Sequence, residues 1–405
     1  DDEGRSPAPP LPTPKNAAAM VRPSLRTPLQ SPLPAALLLL PLLLLQTPAG
    51  GAATADAERA GPEGPGAGPW RRAPPESRGL DSGLVRAGAA HVFGSPEVAI
   101  RDCFVVVKDG VLIHEEYSSA WVNTTAHLGN SITKTLGALL MGWAQARGML
   151  DIDADITVSY DVPSPRPYPV TSRQIMSQAI AGTEGPGQAW DYDAGGTMWL
   201  NLLPQVFLKA TGHLPSEIWE KEFAAPLGLS EQFSWRGADF TWATGSEGVC
   251  KDYARIGQLL LNEGRWPGVK QPLVDESYVR EMRTPQTRYT PYTNYSNPCY
   301  GLLTWLNTNP GSDRGSDKYP GVCRMFPRST WFPAGSPSDV YSAAGILGQE
   351  MIIDPSHDLV VVSMGDTSND FPVERVVYEG VCMMFPGECY GWGDATHSTG
   401  MPLAI

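Results

Sequence analysis

The sequence has few charged residues and no basic clusters. Lys, Arg, Asp and Glu together make up 18% of its 405 residues, and the formal net charge is −13. Binding to a nucleic-acid backbone requires basic surface, so this composition argues against nucleic acid as the main partner. The hydrophobic content of 42% is sufficient for one large core or two modest ones.

Several catalytic signatures are also missing. No Gly-x-Ser-x-Gly motif occurs, so the sequence lacks the nucleophile elbow typical of many Ser-His-Asp hydrolases. The histidines form neither His-x-His nor His-Glu-x-x-His, and we therefore predict no metal site and no other cofactor. The six histidines are His91, His114, His127, His213, His357 and His397.

Long apolar runs are rare, and the clearest one lies near the N-terminus. Arg22 and Arg26 precede an apolar run from Ala35 to Leu45, and small residues follow between Ala53 and Ala57. This layout is typical of a secretory signal peptide over about residues 20–57. The run is too short to cross a bilayer unaided. We expect a secreted or secretory-lumen protein with no membrane span after cleavage; a Leu-rich disordered stretch is the alternative.

The cysteines are compatible with an oxidising compartment. They show no Cys-x-x-Cys motif and no zinc-ligand spacing. The most plausible pairs are Cys382 with Cys389 and Cys299 with Cys323, although the sequence does not fix the connectivity, and buried free thiols are an equal alternative. The six cysteines are Cys103, Cys250, Cys299, Cys323, Cys382 and Cys389.

The chain divides into three regions by composition. Residues 1–84 are rich in Pro, Gly and Ala and predict a disordered leader, residues 85–395 a globular domain, and residues 396–405 a tail. In the globular region, "DCFVVVKDGVLIHEEY" predicts a β-hairpin, and residues 350–353 and 359–364 predict two more strands. We therefore predict an α+β fold: an antiparallel sheet built from N- and C-terminal segments, flanked by helices, with a mostly helical middle region.

The stretch "GNSITKTLGALLMG" carries the main chemical signal. It places Ser131 three residues before Lys134 at the start of a predicted helix, and residues at this spacing share a helical face. Lysine can accept the serine proton only if burial or nearby positive charge lowers its pKa. A helix N-terminus also offers N–H groups to an oxyanion. The alternative is an ordinary helix-capping serine with a solvated lysine.

Longer segments support the catalytic interpretation. "VVVKDGVLIHEEY" followed by "GNSITKTLGALLMGWAQARGMLDIDADI" resembles the opening of the serine β-lactamase and penicillin-binding-protein-like family, in which a hairpin precedes a Ser-x-x-Lys helix. "VTSRQIMSQAIAG", "PLGLSEQFSW" and "GQEMIIDPSHDLVVV" are similar to later segments of that family. The resemblance covers about residues 85–385 and implies a β-lactamase/transpeptidase-like fold.

The resemblance implies roles for three residues at the first two motifs. Ser131 corresponds to the acyl-forming nucleophile and Lys134 to its partner. Tyr192 corresponds to the tyrosine of the Tyr-x-Asn motif, which relays the proton, but Ala194 stands where the family has asparagine. An ordinary core or surface aromatic is the alternative interpretation of Tyr192.

The third motif departs further from the family pattern. The Lys-Thr-Gly or His-x-Gly of the family aligns with Ile346-Leu347-Gly348, so the glycine is present and the cation is not. Gly348 would allow close approach of an acyl group, and the N–H of Gln349 would complete an oxyanion hole with that of Ser131.

Together these features predict an exported serine hydrolase. It would act through an acyl-enzyme on a small-molecule ester or amide, and the missing cation favours neutral substrates. The alternative is a catalytically degenerate relative that serves as a binding or scaffolding module. The sequence does not determine the oligomeric state.

Overall fold

The computed structural model describes most of the region predicted to be globular. The described residues are 61–95, 100–119, 122–180, 190, 192, 198–286, 299–307, 336–366 and 371–388. They belong to a compact unit that comprises Arg59–Ile405. Among them, no helix has both the length and the apolar composition needed to span a membrane.

A six-stranded antiparallel sheet forms the centre of this unit, beside a small three-stranded sheet. In chain order the strands are β1 (Arg101–Lys108), β2 (Val111–Tyr117), β3 (His127–Leu128), β4 (Ser234–Trp235), β5 (Ser246–Gly248), β6 (Trp305–Leu306), β7 (Tyr341–Gly345), β8 (Gln349–Asp354) and β9 (Leu359–Gly365). The large sheet has the order β2-β1-β9-β8-β7-β6, and the small one β3-β5-β4. Strands from the two ends of the domain therefore meet where β1 pairs with β9, which confirms the predicted α+β fold.

Local sequence explains how the large sheet forms and why it is buried. Asp109 and Gly110 join β1 to β2 with φ values of 50° and 65°, the left-handed geometry of a type I′ hairpin turn. All residues of β8 and β9 are buried. Because successive side chains of a strand point to opposite faces, both faces of the sheet must be covered.

Helices cover the sheet and fill the middle of the chain. They are α1 (Ser82–Gly94), α2 (Ile132–Ala146), α3 (Ile156–Tyr160), α4 (Ser172–Met176), α5 (Leu203–Thr211), α6 (Pro215–Ile218), α7 (Ala225–Leu227), α8 (Cys250–Leu261), α9 (Glu276–Met282) and α10 (Phe371–Cys382). Helix α8 packs across β1, β8 and β9, whereas α2 contacts β7 and β8. The last contact brings the predicted Ser-x-x-Lys helix to the sheet.

The predicted leader boundary at residue 84 is wrong, because residues 61–84 are folded. The backbone of this segment pairs with β2: the Ala73 N–H donates to the Leu112 carbonyl, and the Leu112 N–H donates to the Arg71 carbonyl. The guanidinium of Arg255 donates to the carbonyls of Gly66 and Gly68. The composition of the segment concealed this order, because the segment contributes few apolar side chains to the core, Leu80 and Trp70 among them, and is otherwise held by hydrogen bonds to backbone groups.

A disulfide joins β1 to the first residue of α8, between Cys103 and Cys250. The sequence did not single out this pair. Cys299 and Cys382 each take part in a disulfide as well. The predicted partners of these two cysteines, Cys323 and Cys389, lie outside the described residues.

Candidate active site

Ser131 lies in a tight turn between β3 and α2. It is the N-cap residue of α2, yet its hydroxyl makes no capping hydrogen bond. The preceding Asn130 has a φ of 47°, a left-handed conformation that Asn tolerates better than most residues. The N–H of Gly129 donates to the Ser246 carbonyl at 2.8 Å. The turn is thus anchored to the small sheet, and the Ser131 hydroxyl is not used to cap the helix.

Lys134 meets the Ser131 hydroxyl as the helical spacing predicts. Its Nζ lies 2.7 Å from Ser131 Oγ and 2.9 Å from the Ala243 carbonyl. The lysine is only 3% exposed, and burial lowers its pKa to about 7. Desolvation penalises the charged form, so a large fraction of the amine is neutral near pH 7 and can accept a proton.

Tyr192 lies next to Lys134 within an aromatic cluster. The lysine Nζ is 4.9 Å from the centre of the Tyr192 ring, a cation–π distance when the amine is charged. The ring also packs against Trp190, Tyr300 and Trp305, with centroid separations of 6.1, 5.9 and 5.1 Å. The structure therefore brings Tyr192 to the site through its ring face. A relay role for its hydroxyl stays a prediction.

The end of β7 borders the Ser131 turn. A Cβ on Gly345 would overlap the Gly129 carbonyl oxygen, so only glycine fits this approach. The side-chain amide of Asn130 donates to the Ile346 carbonyl at 2.8 Å. Ile346, at the third-motif position, is 57% exposed. The sequence alignment placed the family's cation at this residue, whereas the structure places Ile346 in the turn after β7.

Gly348 and Gln349 lie further along the same hairpin. Gly348 occupies the turn with a φ of 78°, and Gln349 begins β8. The Gln349 side chain is buried and donates to the Gly365 carbonyl at 2.6 Å. The described contacts to the Ser131 turn come from Gly345 and Ile346, at the start of the same hairpin turn; the oxyanion role assigned to Gln349 stays a prediction.

The sequence profile of the family described as Beta-lactamase matches residues 84–376. The chain belongs to the beta-lactamase family. No curated protein matches the chain significantly in sequence.

Solved structures agree with the beta-lactamase family fold. The chain is similar to a beta-lactamase from Mycobacterium bovis, with a TM-score of 0.53 and 15% identity, over 73% of this chain and 97% of that one. It is also similar to a penicillin-binding protein homologue from Caulobacter crescentus, with a TM-score of 0.55 and 13% identity, over 74% of this chain and 96% of that one. A family VIII carboxylesterase is similar with a TM-score of 0.56 and 12% identity, over 74% of this chain and 96% of that one. At these identities the likeness shows the fold alone.

Sequence reasoning missed several residues that support the site of this beta-lactamase family member. Thr133 Oγ1 and Ser246 Oγ are 2.8 Å apart, and the Tyr253 hydroxyl donates to the His127 carbonyl at 3.3 Å. These contacts tie α2 and α8 to the strands on either side of the Ser131 turn. Only Asn130 had a local signal, since it is a residue suited to left-handed backbone directly before Ser131.

One group among the described residues has three potential metal ligands close together. The ligand atoms of Cys103, His127 and Cys250 lie within 4.8 Å of one another, and all three residues are buried. Because the two sulfur atoms form a disulfide, the group offers no thiolate ligand in this state.

Proposed function

We propose that this protein is an exported serine hydrolase that cleaves a small neutral ester or amide through an acyl-enzyme on Ser131. The observation that carries the proposal is the buried Lys134 amine, with a pKa of about 7, at 2.7 Å from the serine hydroxyl. A serine needs a nearby base to become a nucleophile, and this amine meets the requirement.

The proposed reaction has two steps. In acylation, neutral Lys134 takes the proton of Ser131 Oγ as the oxygen attacks the substrate carbonyl carbon. The lysine then gives the proton to the leaving alkoxide or amine, which departs as the C–O or C–N bond breaks. In deacylation, water attacks the acyl-enzyme, the carboxylic acid leaves, and the serine regains its proton. Tyr192, beside the amine, is the proposed relay.

The oxyanion of the tetrahedral intermediate needs two donors. Within the described part of the chain, the N–H groups of Ser131 and Ile346 donate no backbone hydrogen bond. We favour this pair over the N–H of Gln349, because Ile346 is the residue bound to the Ser131 turn. Preorganised backbone donors of this kind are worth about 10²- to 10³-fold in rate.

The surroundings of the proposed site favour an uncharged, apolar acyl group. Neither Ile346 nor the strand β7 before it carries a cation, and aromatic rings, including Tyr192 and Trp190, lie on the lysine side. A substrate carboxylate would lack the positive partner that the family pattern supplies at this motif. We therefore expect poor turnover of penicillins, whose carboxylate needs that partner.

Two assays test the proposal. The purified protein is expected to react with a fluorophosphonate probe and to hydrolyse p-nitrophenyl acetate and butyrate faster than the β-lactam nitrocefin. Folded protein that neither reacts with the probe nor hydrolyses the esters would contradict the hydrolase and favour a binding or scaffolding module. The loss of the third-motif cation is what motivates that second candidate.

Ester hydrolysis should increase with pH. Protonated Lys134 cannot accept the serine proton, so kcat/KM is expected to rise through an apparent pKa of about 7 and level off above it. Lys134→Arg keeps a permanent charge and should remove most activity at every pH. Lys209→Arg, on the exposed end of α5, is the matched control. A rate that stays constant between about pH 5.5 and 8.5 would contradict the role of Lys134 as the base.

Export is the remaining part of the proposal. The motif layout over residues 20–57 supports it, and so do the disulfide between Cys103 and Cys250 and the sequence Asn123-Thr124-Thr125, an N-glycosylation acceptor motif whose asparagine is exposed. Expression in a eukaryotic secretory host is expected to release protein that lacks this segment. Retention of the uncleaved chain in the cytosol would contradict export without bearing on catalysis.

A further inference from the structure

Asn130 connects the nucleophile turn to the end of β7. Its left-handed backbone, with a φ of 47°, directs the chain from β3 into α2. Its side chain reaches across to donate to the Ile346 carbonyl at 2.8 Å. A single residue thus contributes to the placement of Ser131 on one side and Ile346 on the other.

On the side away from β8, the pairing of β7 within the described residues stops before the strand ends. Strand β6 pairs with β7 only at Tyr341 and Ser342 within the described residues, so its support ends three residues before Gly345. The two residues after Ile346 adopt left-handed φ values of 69° and 78°. The Asn130 amide therefore binds β7 where the neighbouring strand has ended and the hairpin turn begins.

The same hydrogen bond fixes the place of Ile346 beside the Ser131 turn. Ile346 is the first residue of the turn that follows β7, and the residue before it, Gly345, packs closely against Gly129 and Asn130. Because the Ile346 carbonyl is held by Asn130, the backbone of Ile346 cannot move away from the Ser131 turn without breaking this bond. A substrate oxyanion would form beside that turn.

We propose that Asn130 is a positioning residue that sets the oxyanion hole, by holding Ile346 at a fixed place relative to Ser131. This inference rests on the proposed hydrolase function. Asn130 acts through Ile346 and is not itself a donor to the substrate. Asparagine suits the position for two separable reasons, its tolerance of left-handed backbone and its amide donor.

Substitutions can separate those two properties. Asn130→Gly keeps the left-handed backbone and removes only the amide. Asn130→Asp replaces the donor with a carboxylate oxygen that repels the Ile346 carbonyl. A displaced oxyanion donor is expected to reduce kcat, with KM nearly unchanged, by about 10- to 100-fold in Asn130→Gly and by more in Asn130→Asp.

The deciding measurement is the affinity for phenylboronic acid, which forms a tetrahedral adduct with a serine and places an oxygen in the oxyanion hole. Asn130→Gly should weaken this inhibitor by the same factor by which it lowers kcat/KM, as expected for a transition-state analogue. Asp161→Gly removes a polar side chain from another left-handed residue, at the end of α3, and should change neither value.

The outcomes distinguish this inference from the proposed function. A wild-type protein that is inactive towards the esters and does not react with the fluorophosphonate would contradict the function itself. An active wild type with an Asn130→Gly variant of equal kcat and equal boronate affinity would overturn the role of Asn130 alone. An Asn130→Gly variant that loses stability but keeps both values would likewise assign Asn130 to folding only.

Discussion

Ser131→Ala is expected to abolish ester hydrolysis and fluorophosphonate labelling while the protein stays folded. Removing the nucleophile of a serine hydrolase lowers kcat by at least about 10³-fold, because the variant cannot form the acyl-enzyme. The fold should tolerate the change, since the hydroxyl does not cap α2. Lys134 would also keep its hydrogen bond to the Ala243 carbonyl.

The comparison needs both a chemical and a structural readout. Mass spectrometry of the intact protein after labelling should show one phosphonate adduct on wild type and none on Ser131→Ala. Ser159→Ala, on the exposed surface of α3, should label as wild type does, and circular dichroism should be the same for all three. Continued labelling of Ser131→Ala would assign the reaction to a different residue.

Loss of the disulfide between Cys103 and Cys250 should produce the largest change in stability. The two residues are separated by 147 positions in the sequence, so the bond closes a long loop in the unfolded chain. By the chain-entropy model, a loop of this size contributes about 4–5 kcal/mol, near the upper limit of measured values. Cys103→Ala and Cys250→Ala should therefore each lower the urea midpoint strongly.

The double variant shows whether the loss of stability comes from one broken disulfide or from the removal of two separate thiols. Each single substitution already breaks the bond. The loss of stability in Cys103→Ala/Cys250→Ala should therefore exceed that of either single variant only by the small cost of a second cavity. Two unbonded buried thiols would instead give small losses, about 1 kcal/mol each, that add in the double variant. Additive small losses would thus contradict the disulfide.

Features set by neighbouring residues were predictable from the sequence. The Asp109-Gly110 turn identified the first hairpin, and the three-residue spacing predicted the contact between Ser131 and Lys134. Both depend on the geometry of one element. The antiparallel sheet was predicted from strand patterns near both ends of the domain with helices between them.

Features set by distant contacts were not predictable in the same way. Asn130 and Ile346 are separated by 216 positions, and nothing local in either segment indicates that they meet. The alignment assigned the oxyanion donor to Gln349, and no local pattern indicated that Gly345 packs against the Ser131 turn. The partner of Cys103 is likewise decided by how α8 crosses β1.

The folded segment at residues 61–80 limits where the chain could be cut without loss of structure. Cleavage before Arg59 would preserve the whole compact unit. Cleavage near residue 84 would instead expose the outer edge of β2, a surface that promotes aggregation. It would also take two of the three carbonyl acceptors from the buried Arg255 guanidinium. A recombinant protein meant for assays should therefore begin no later than Gly61.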